Sequence, residues 1–487
     1  MRKSGILLHP TSLPGEWGIG DLGRHAYHFV DFLAESGQQL WQVLPLSPPG
    51  VGYSPYQAYS SMAGNPLLIS LQTLVDQGWL SAEDLKGPEF PDSTVDFEKV
   101  IPFKTKLVKK AAAAFFKKDS DPLRNDFFEF CQQSKYWLDS YAEFMALREL
   151  NNDSAWPFWK QKTARAQDIL DAQFIQFEFF REWARLKRYC NDRGIEIIGD
   201  IPIFVAHDSS DVWANPELFD LDEKGNPKTA AGVPPDYFSK TGQCWGNPLY
   251  RWDAMEQSGY RWWIDRIRSM LNMVDIIRLD HFRGFEKYWE IPAGSETAVN
   301  GKWVKGPGDR FFAVLLETFG KLPFIAEDLG YITEEVHELR DRWELPGMRV
   351  LQFAFGDQSL ENPHKPFNFI KNCIVYTGTH DNDTSAGWFS DVHSPETREE
   401  KEFAIRYMGG NHEKPVWDFI RLALSSVADT AIIPMQDVLE LDSEARMNLP
   451  ATMGNNWRWR MKENQLNPEL SSRLRQMNSD YGRLLQK

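Results

Sequence analysis

Cysteine is scarce in this chain: four in 487 residues, at Cys131, Cys190, Cys244 and Cys373. No two stand at a metal-binding spacing, and four are too few for a disulfide framework, which favours a reducing compartment. Long apolar runs are also missing; without about 20 such residues in a row, no membrane span is expected. Met1–Pro10 enters a strand-like run at once and lacks the apolar core and small-residue cleavage site of an export signal, so a cytoplasmic protein is expected. Positive charge is outnumbered, 54 Lys and Arg against 69 Asp and Glu, and the net −15 argues against nucleic acid as a partner. There is no P-loop, GxSxG elbow, HExxH or EF-hand spacing, and no glycine-rich phosphate cradle is expected. What remains is a soluble globular protein in which no metal and no cofactor is expected.

Aromatic residues are abundant instead, at 14% with 19 Trp. Most belong to a large core. A handful are expected to line a cleft where flat sugar faces lie against flat rings.

Eight short apolar runs read as strands: Gly5–Leu8, Leu40–Leu44, Glu196–Ile203, Val274–Asp280, Pro323–Ala326, Arg349–Phe355, Ile374–Thr377 and Thr430–Met435. Near-continuous apolar runs suit parallel strands buried on both faces. Helical spacing over Phe174–Arg193, stopping at Gly194, precedes the third, and Tyr260–Met273 precedes the fourth. Eight strands alternating with helices predict an α/β fold, a (β/α)8 TIM barrel with its chemistry at the C-terminal strand ends. The repeat is uneven. Residues 60–165, with helical stretches Thr105–Lys118 and Leu123–Leu150, read as a mostly helical insertion between the second and third strands of a single catalytic domain. Residues 221–250 are rich in Gly, Pro and Asn with little periodicity and read as a long rim loop, the kind that is usually functional.

Three of these strands stop on a carboxylate: Arg278-Leu279-Asp280-His281, Ala326-Glu327-Asp328, and Thr379-His380-Asp381. Strand ends that gather acids in one place suit proton transfer and attack on a sugar acetal carbon. Arg278 shares a strand face with Asp280 and would hold it ionised, as a nucleophile requires. A Glu in a drier site facing that charge has a raised pKa and can donate a proton. Taken singly, each acid also fits a helix cap or a solvated turn; Asp328 is expected to cap a helix starting near Thr333, and Asp383 to sit in a polar turn. His281 and His380 beside Asp280 and Asp381 leave a metal reading formally open, without any of the usual ligand spacings.

In order along the chain, His9-Pro10-Thr11-Ser12-Leu13-Pro14, Ser54-Pro55-Tyr56-Gln57, Gly199–Val205, Gly232–Phe238, Trp245-Gly246-Asn247-Pro248, Arg278–Arg283, Ala326–Gly330, Thr379–Asn382 and Gly454-Asn455-Asn456-Trp457 together resemble glycoside hydrolase family 77, the 4-α-glucanotransferases. The resemblance implies a covalent double displacement on α-1,4-glucans, with Asp280 as nucleophile, Glu327 as acid/base and Asp381 holding ring hydroxyls. It implies substrate contacts from Arg278, His380, Tyr56, Asp200, Trp245 and Asn456, and within the 221–250 loop Tyr237 and Phe238 are expected to grip the acceptor beside Trp245. One position departs: Tyr53 stands where many members carry a small acidic or amide residue. A transferase must let a sugar hydroxyl beat water at about 55 M, which demands occupancy and orientation; the 221–250 segment is the expected shield. An α-glucan hydrolase on the same barrel and a non-catalytic glucan-binding protein remain the rival readings.

Overall fold

The computed structural model describes residues 2–118, 120–235, 240–357, 359–409, 413–452 and 454–484. Twelve strands run through the described residues: β1 Lys3–Leu7, β2 Leu40–Gln42, β3 Glu196–Pro202, β4 Thr229–Val233, β5 Gln243–Pro248, β6 Ile276–Asp280, β7 Lys287–Pro292, β8 Lys302–Lys305, β9 Phe324–Ala326, β10 Gly347–Val350, β11 Cys373–Tyr376 and β12 Thr430–Pro434. Eight close into a parallel barrel in the order β1-β12-β11-β10-β9-β6-β3-β2. Each of the eight apolar runs supplies one barrel strand. The chain is a (β/α)8 barrel, and its three strand-end acids lie at the C-terminal face, where the loops converge.

Helices cover the barrel's outer wall, among them Arg24–Glu35, Arg261–Met273, Gly308–Phe319, Pro415–Ser425 and Pro468–Asp480. The long helix before β3 runs Ala166–Asn191; Gly194, with φ +73°, makes the left-handed turn that releases the chain into the strand. Helices Phe97–Lys117, Arg124–Gln133 and Lys135–Leu150 also fall between β2 and β3. They meet the Ala166–Asn191 helix through rings, Phe115 on Phe174 at 4.7 Å and Phe127 edge-on to Phe177 at 5.7 Å.

The structure differs from the sequence expectations in three elements. The run over Leu123–Leu150 is two helices, broken where Ser134 takes φ −95°, ψ 2°. The sixth barrel strand ends at Val350, not Phe355: the Val350 N–H donates to His364 Nδ1 at 3.1 Å, and Leu351–Phe353 curls into a 3-10 turn. Residues 221–250 are not structureless. They contain β4 and β5, which join β7 and β8 in an antiparallel sheet of order β5-β4-β7-β8. Pairing that depends on a strand some 60 positions downstream leaves little local periodicity to read.

Candidate active site

Strand β6 delivers Arg278 and Asp280 to one face, and the register of β3 on β6 sets Asp200 opposite Arg278. Arg278 Nη1 donates to Asp200 Oδ1 at 2.8 Å and Oδ2 at 2.7 Å, and lies 2.8 Å from Asp280 Oδ1. Arg278 and Asp200 are buried, whereas the Asp280 side chain keeps 26% exposure. Burial alone would lower the Arg278 pKa, but the two carboxylates hold it well above its ordinary value, so the guanidinium stays charged. Burial pushes the Asp200 carboxyl up, against the pull of Arg278. Tyr56 donates its hydroxyl to Asp200 Oδ2 at 2.8 Å; burial first, then the Asp200 charge, keep that phenol protonated.

His281 follows Asp280 in the left-handed region, φ +52°. A non-glycine residue there is uncommon. The turn aims the His281 N–H at Glu327 Oε2, 2.6 Å away, while the Leu329 N–H donates to Oε1 at 2.9 Å. The Glu327 carbonyl in turn accepts from Phe282 N at 3.1 Å. The carboxylate closing β9 is thereby fastened to the first residue beyond the carboxylate closing its neighbour β6. Burial pushes Glu327 up to about 8, with Asp280 adding to the rise and Arg278 opposing it. Burial also drops His281 to about 4, leaving a neutral ring edge-on to Trp245 at 4.8 Å.

The third acid arrives from β11. Asp381 Oδ1 accepts from Asn448 Nδ2 at 2.6 Å and its carbonyl from Arg446 Nη2 at 2.6 Å; its side chain is 45% exposed. His380 Nε2 stands 3.4 Å from Asp381 Oδ1. The His380 ring stacks on Tyr56 at 5.2 Å and 10°, with Trp457 tilted against both. Contacts therefore run without a break from Asp280 through Arg278, Asp200, Tyr56 and His380 to Asp381.

The remaining expected residues are placed less uniformly. Asp200 is fully buried beneath Arg278 and Tyr56, a support for the site rather than an open surface. Trp245, on β5, is partly exposed and donates from Nε1 to Gln243 Oε1 at 3.2 Å. Asn456 spends its amide on its own rim loop, accepting from Leu449 N at 3.0 Å and donating to the Leu449 and Thr452 carbonyls. Tyr237 and Phe238 lie outside the described residues. Asp328 does not cap the helix at Thr333; it accepts from Met348 N at 2.6 Å and pairs with Arg340 and Arg349, because the chain turns inward before the helix begins. Tyr53 stacks on Phe97 at 4.4 Å and donates to Glu98 at 3.3 Å.

Sequence reasoning missed Asn448 and Arg446, whose stretch has no periodicity, and left Trp457 unassigned within a motif it had singled out. It also passed over Gly18-Ile19-Gly20-Asp21-Leu22-Gly23, which has the spacing of a phosphate-binding turn just ahead of the Arg24–Glu35 helix. The structure explains why it is none: the Asp21 carboxylate occupies that turn, accepting from Gly23 N at 2.9 Å, and repels an anion.

The fold and the site define a (β/α)8-barrel protein with a cluster of acids at its C-terminal mouth. Residues 8–466 match the family model for 4-alpha-glucanotransferase, glycoside hydrolase family 77. The chain is 48% identical to the 4-alpha-glucanotransferase of Synechocystis sp., over 99% of this chain and 98% of that one. It is likewise 48% identical to that of Thermus thermophilus, over 98% of each. Its structure superposes on an amylomaltase from Streptococcus agalactiae in complex with acarbose with a TM-score of 0.95, at 39% identity and full coverage of both chains. The chain belongs to glycoside hydrolase family 77. Among the described residues no helix is long and apolar enough to cross a membrane.

Proposed function

We propose that this protein is a retaining 4-α-glucanotransferase, disproportionating α-1,4-glucans through a covalent intermediate. The observation that carries the reading is the pairing at the mouth of β6 and β9: an Asp held to a guanidinium beside a Glu whose surroundings lift it to about 8. In the first step a carboxylate oxygen of Asp280 attacks the anomeric carbon, the bond to the leaving 4-oxygen breaks, and Glu327 gives that oxygen its proton. In the second step the 4-hydroxyl of an acceptor glucan attacks the same carbon, Glu327 takes its proton, and Asp280 leaves as a carboxylate. Esterified Asp280 no longer carries the charge that helps raise Glu327, so the same group that was an acid becomes a usable base. Asp381, backed by Asn448 and His380, is placed to hold hydroxyls of the distorted ring; Tyr56, Trp245, Asn456, Tyr237 and Phe238 are assigned to glucan contacts. The segment 221–250 shields the intermediate from water. Four unpaired cysteines suit a cytoplasmic location.

Incubation with maltotriose tests the reading. Longer maltodextrins plus glucose are expected; shorter products alone would mark a hydrolase, and no turnover a binding protein. Asp280→Asn is expected to lose transfer by about 10⁴-fold with its fold intact; wild-type turnover in that variant would remove the nucleophile assignment.

A further inference from the structure

Tyr331 lies four residues past Glu327 and is 66% exposed. It is built into the site all the same. Its carbonyl accepts a hydrogen bond from Arg283 Nη1, and its ring lies nearly parallel to Trp303, centroids 6.5 Å apart at 21°. Arg283 is buried two residues after His281, its guanidinium carbon 3.9 Å from the Trp303 ring centre and 5.5 Å from that of Tyr331. Trp303, on β8, faces Trp289 directly across the β7–β8 pair, 5.1 Å away and edge-on. The end of that hairpin is pressed onto the turn after Asp280: a Cβ at Gly306 would come within 2.4 Å of the Phe285 carbonyl and 2.6 Å of that of Gly284. The small sheet is thereby locked to the loop of one acid, and Tyr331 rides on the loop of the other.

We propose that Tyr331 and Trp303 form a stacking platform for the second and later glucose units of the acceptor glucan; this rests on the glucanotransferase reading. Glu327 exchanges its proton with the leaving and entering 4-oxygens, so leaving group and acceptor lie on its side of the cleft. Four residues reach at most about 14 Å, enough to clear the first acceptor ring and meet those beyond it. The platform offers flat rings backed by a buried cation stacked over the face of Trp303, which suits the alternating CH faces and hydroxyls of a neutral glucan. A ring kept only to cover Arg283 would be buried; this one leaves two thirds of itself in solvent.

The test uses a saturating donor maltodextrin and two labelled acceptors, glucose and maltotriose, with the acceptor KM measured for each. Tyr331→Ala is expected to raise the KM for maltotriose about tenfold while leaving the KM for glucose and kcat within about twofold. Tyr331→Phe, which keeps the ring, is expected to match wild type. Tyr331→Leu, which keeps bulk without a flat face, must show the same rise and replaces the alanine variant if that one melts early. An unchanged maltotriose KM in a folded variant, or equal rises for both acceptors, would overturn the platform. Wild-type protein that transfers to neither acceptor would overturn the glucanotransferase reading itself, and the platform with it.

Discussion

In the proposed reaction Glu327 gives a proton in one half and takes one in the other, and its surroundings decide when it can. Burial raises it to about 8, from 4.5 in the unfolded chain, with Asp280 adding to the shift. The donor half-reaction needs the protonated form, so kcat/KM for the donor is expected to fall as pH rises through about 8. The same shift bears on stability. Between pH 4.5 and 8 the folded state binds more protons at this site than the unfolded one, so stability declines as pH rises through that window. Glu327→Gln removes the buried charge. It is expected to lose transfer by about 10³-fold yet to melt on the order of 2 °C higher than wild type at pH 9, with no gain at pH 4. Melting curves at the two pH values check this; an equal or lower melting temperature at pH 9 would mean that burial does not strain this carboxyl. At this scale the sequence was readable because the acids interrupt apolar runs, a break no core strand needs. Asn448 and Arg446 were not: they matter only through Asp381, and the separation of 65 positions between Arg446 and Asp381 hides the contact.

Elements divide the same way. Barrel strands announce themselves because both faces are buried and most positions along them are apolar. The second sheet does not, since β5 alternates half-buried and exposed residues only over Gln243, Cys244, Trp245 and Gly246 before ending on two buried ones, and β4 is small-residue backbone pairing with β7. What looked like a loop is a sheet whose β4–β5 connection spans Pro234–Gly242, and whose β5 brings Trp245 against His281. If this segment keeps water from the glucosyl-enzyme, deleting residues 236–239 within the connection should raise glucose release relative to chain-length scrambling, by about tenfold, while the barrel, none of whose eight strands borders the connection, stays folded. Product ratios from maltotriose measure it. An unchanged ratio would place the shield elsewhere on the rim.

Over the whole molecule, the candidate acids and the contacts that close the circle of strands occupy opposite ends of the barrel. The C-terminal strand ends carry the acids; the N-terminal ends, where β1 meets β12 and the circle closes, are held by a residue from the far end of the chain. Arg483 follows the Pro468–Asp480 helix and is fully buried. It donates from Nε to Leu424 O at 2.7 Å, from Nη1 to Lys3 O at 2.6 Å and Asp429 O at 3.3 Å, and from Nη2 to Ala428 O at 2.9 Å and Ser426 O at 3.5 Å. Arg2 bonds the same turn, at Leu424 O and Ser426 O. A planar fork with five N–H groups meets that ring of carbonyls; an ammonium with three cannot reach them all. Arg483→Ala strands several buried carbonyls and is expected to cost about 4 kcal/mol. For a chain of this length that is a fall of about 4 °C in melting temperature. Arg483→Lys is expected to recover less than half of it. Both variants should keep wild-type kcat on maltotriose at 25 °C, because the carboxylates sit at the opposite mouth. A melting temperature untouched by Arg483→Ala would show that the barrel closes without its clasp, and a kcat that fell with it would show that the two ends of the barrel are coupled rather than separate.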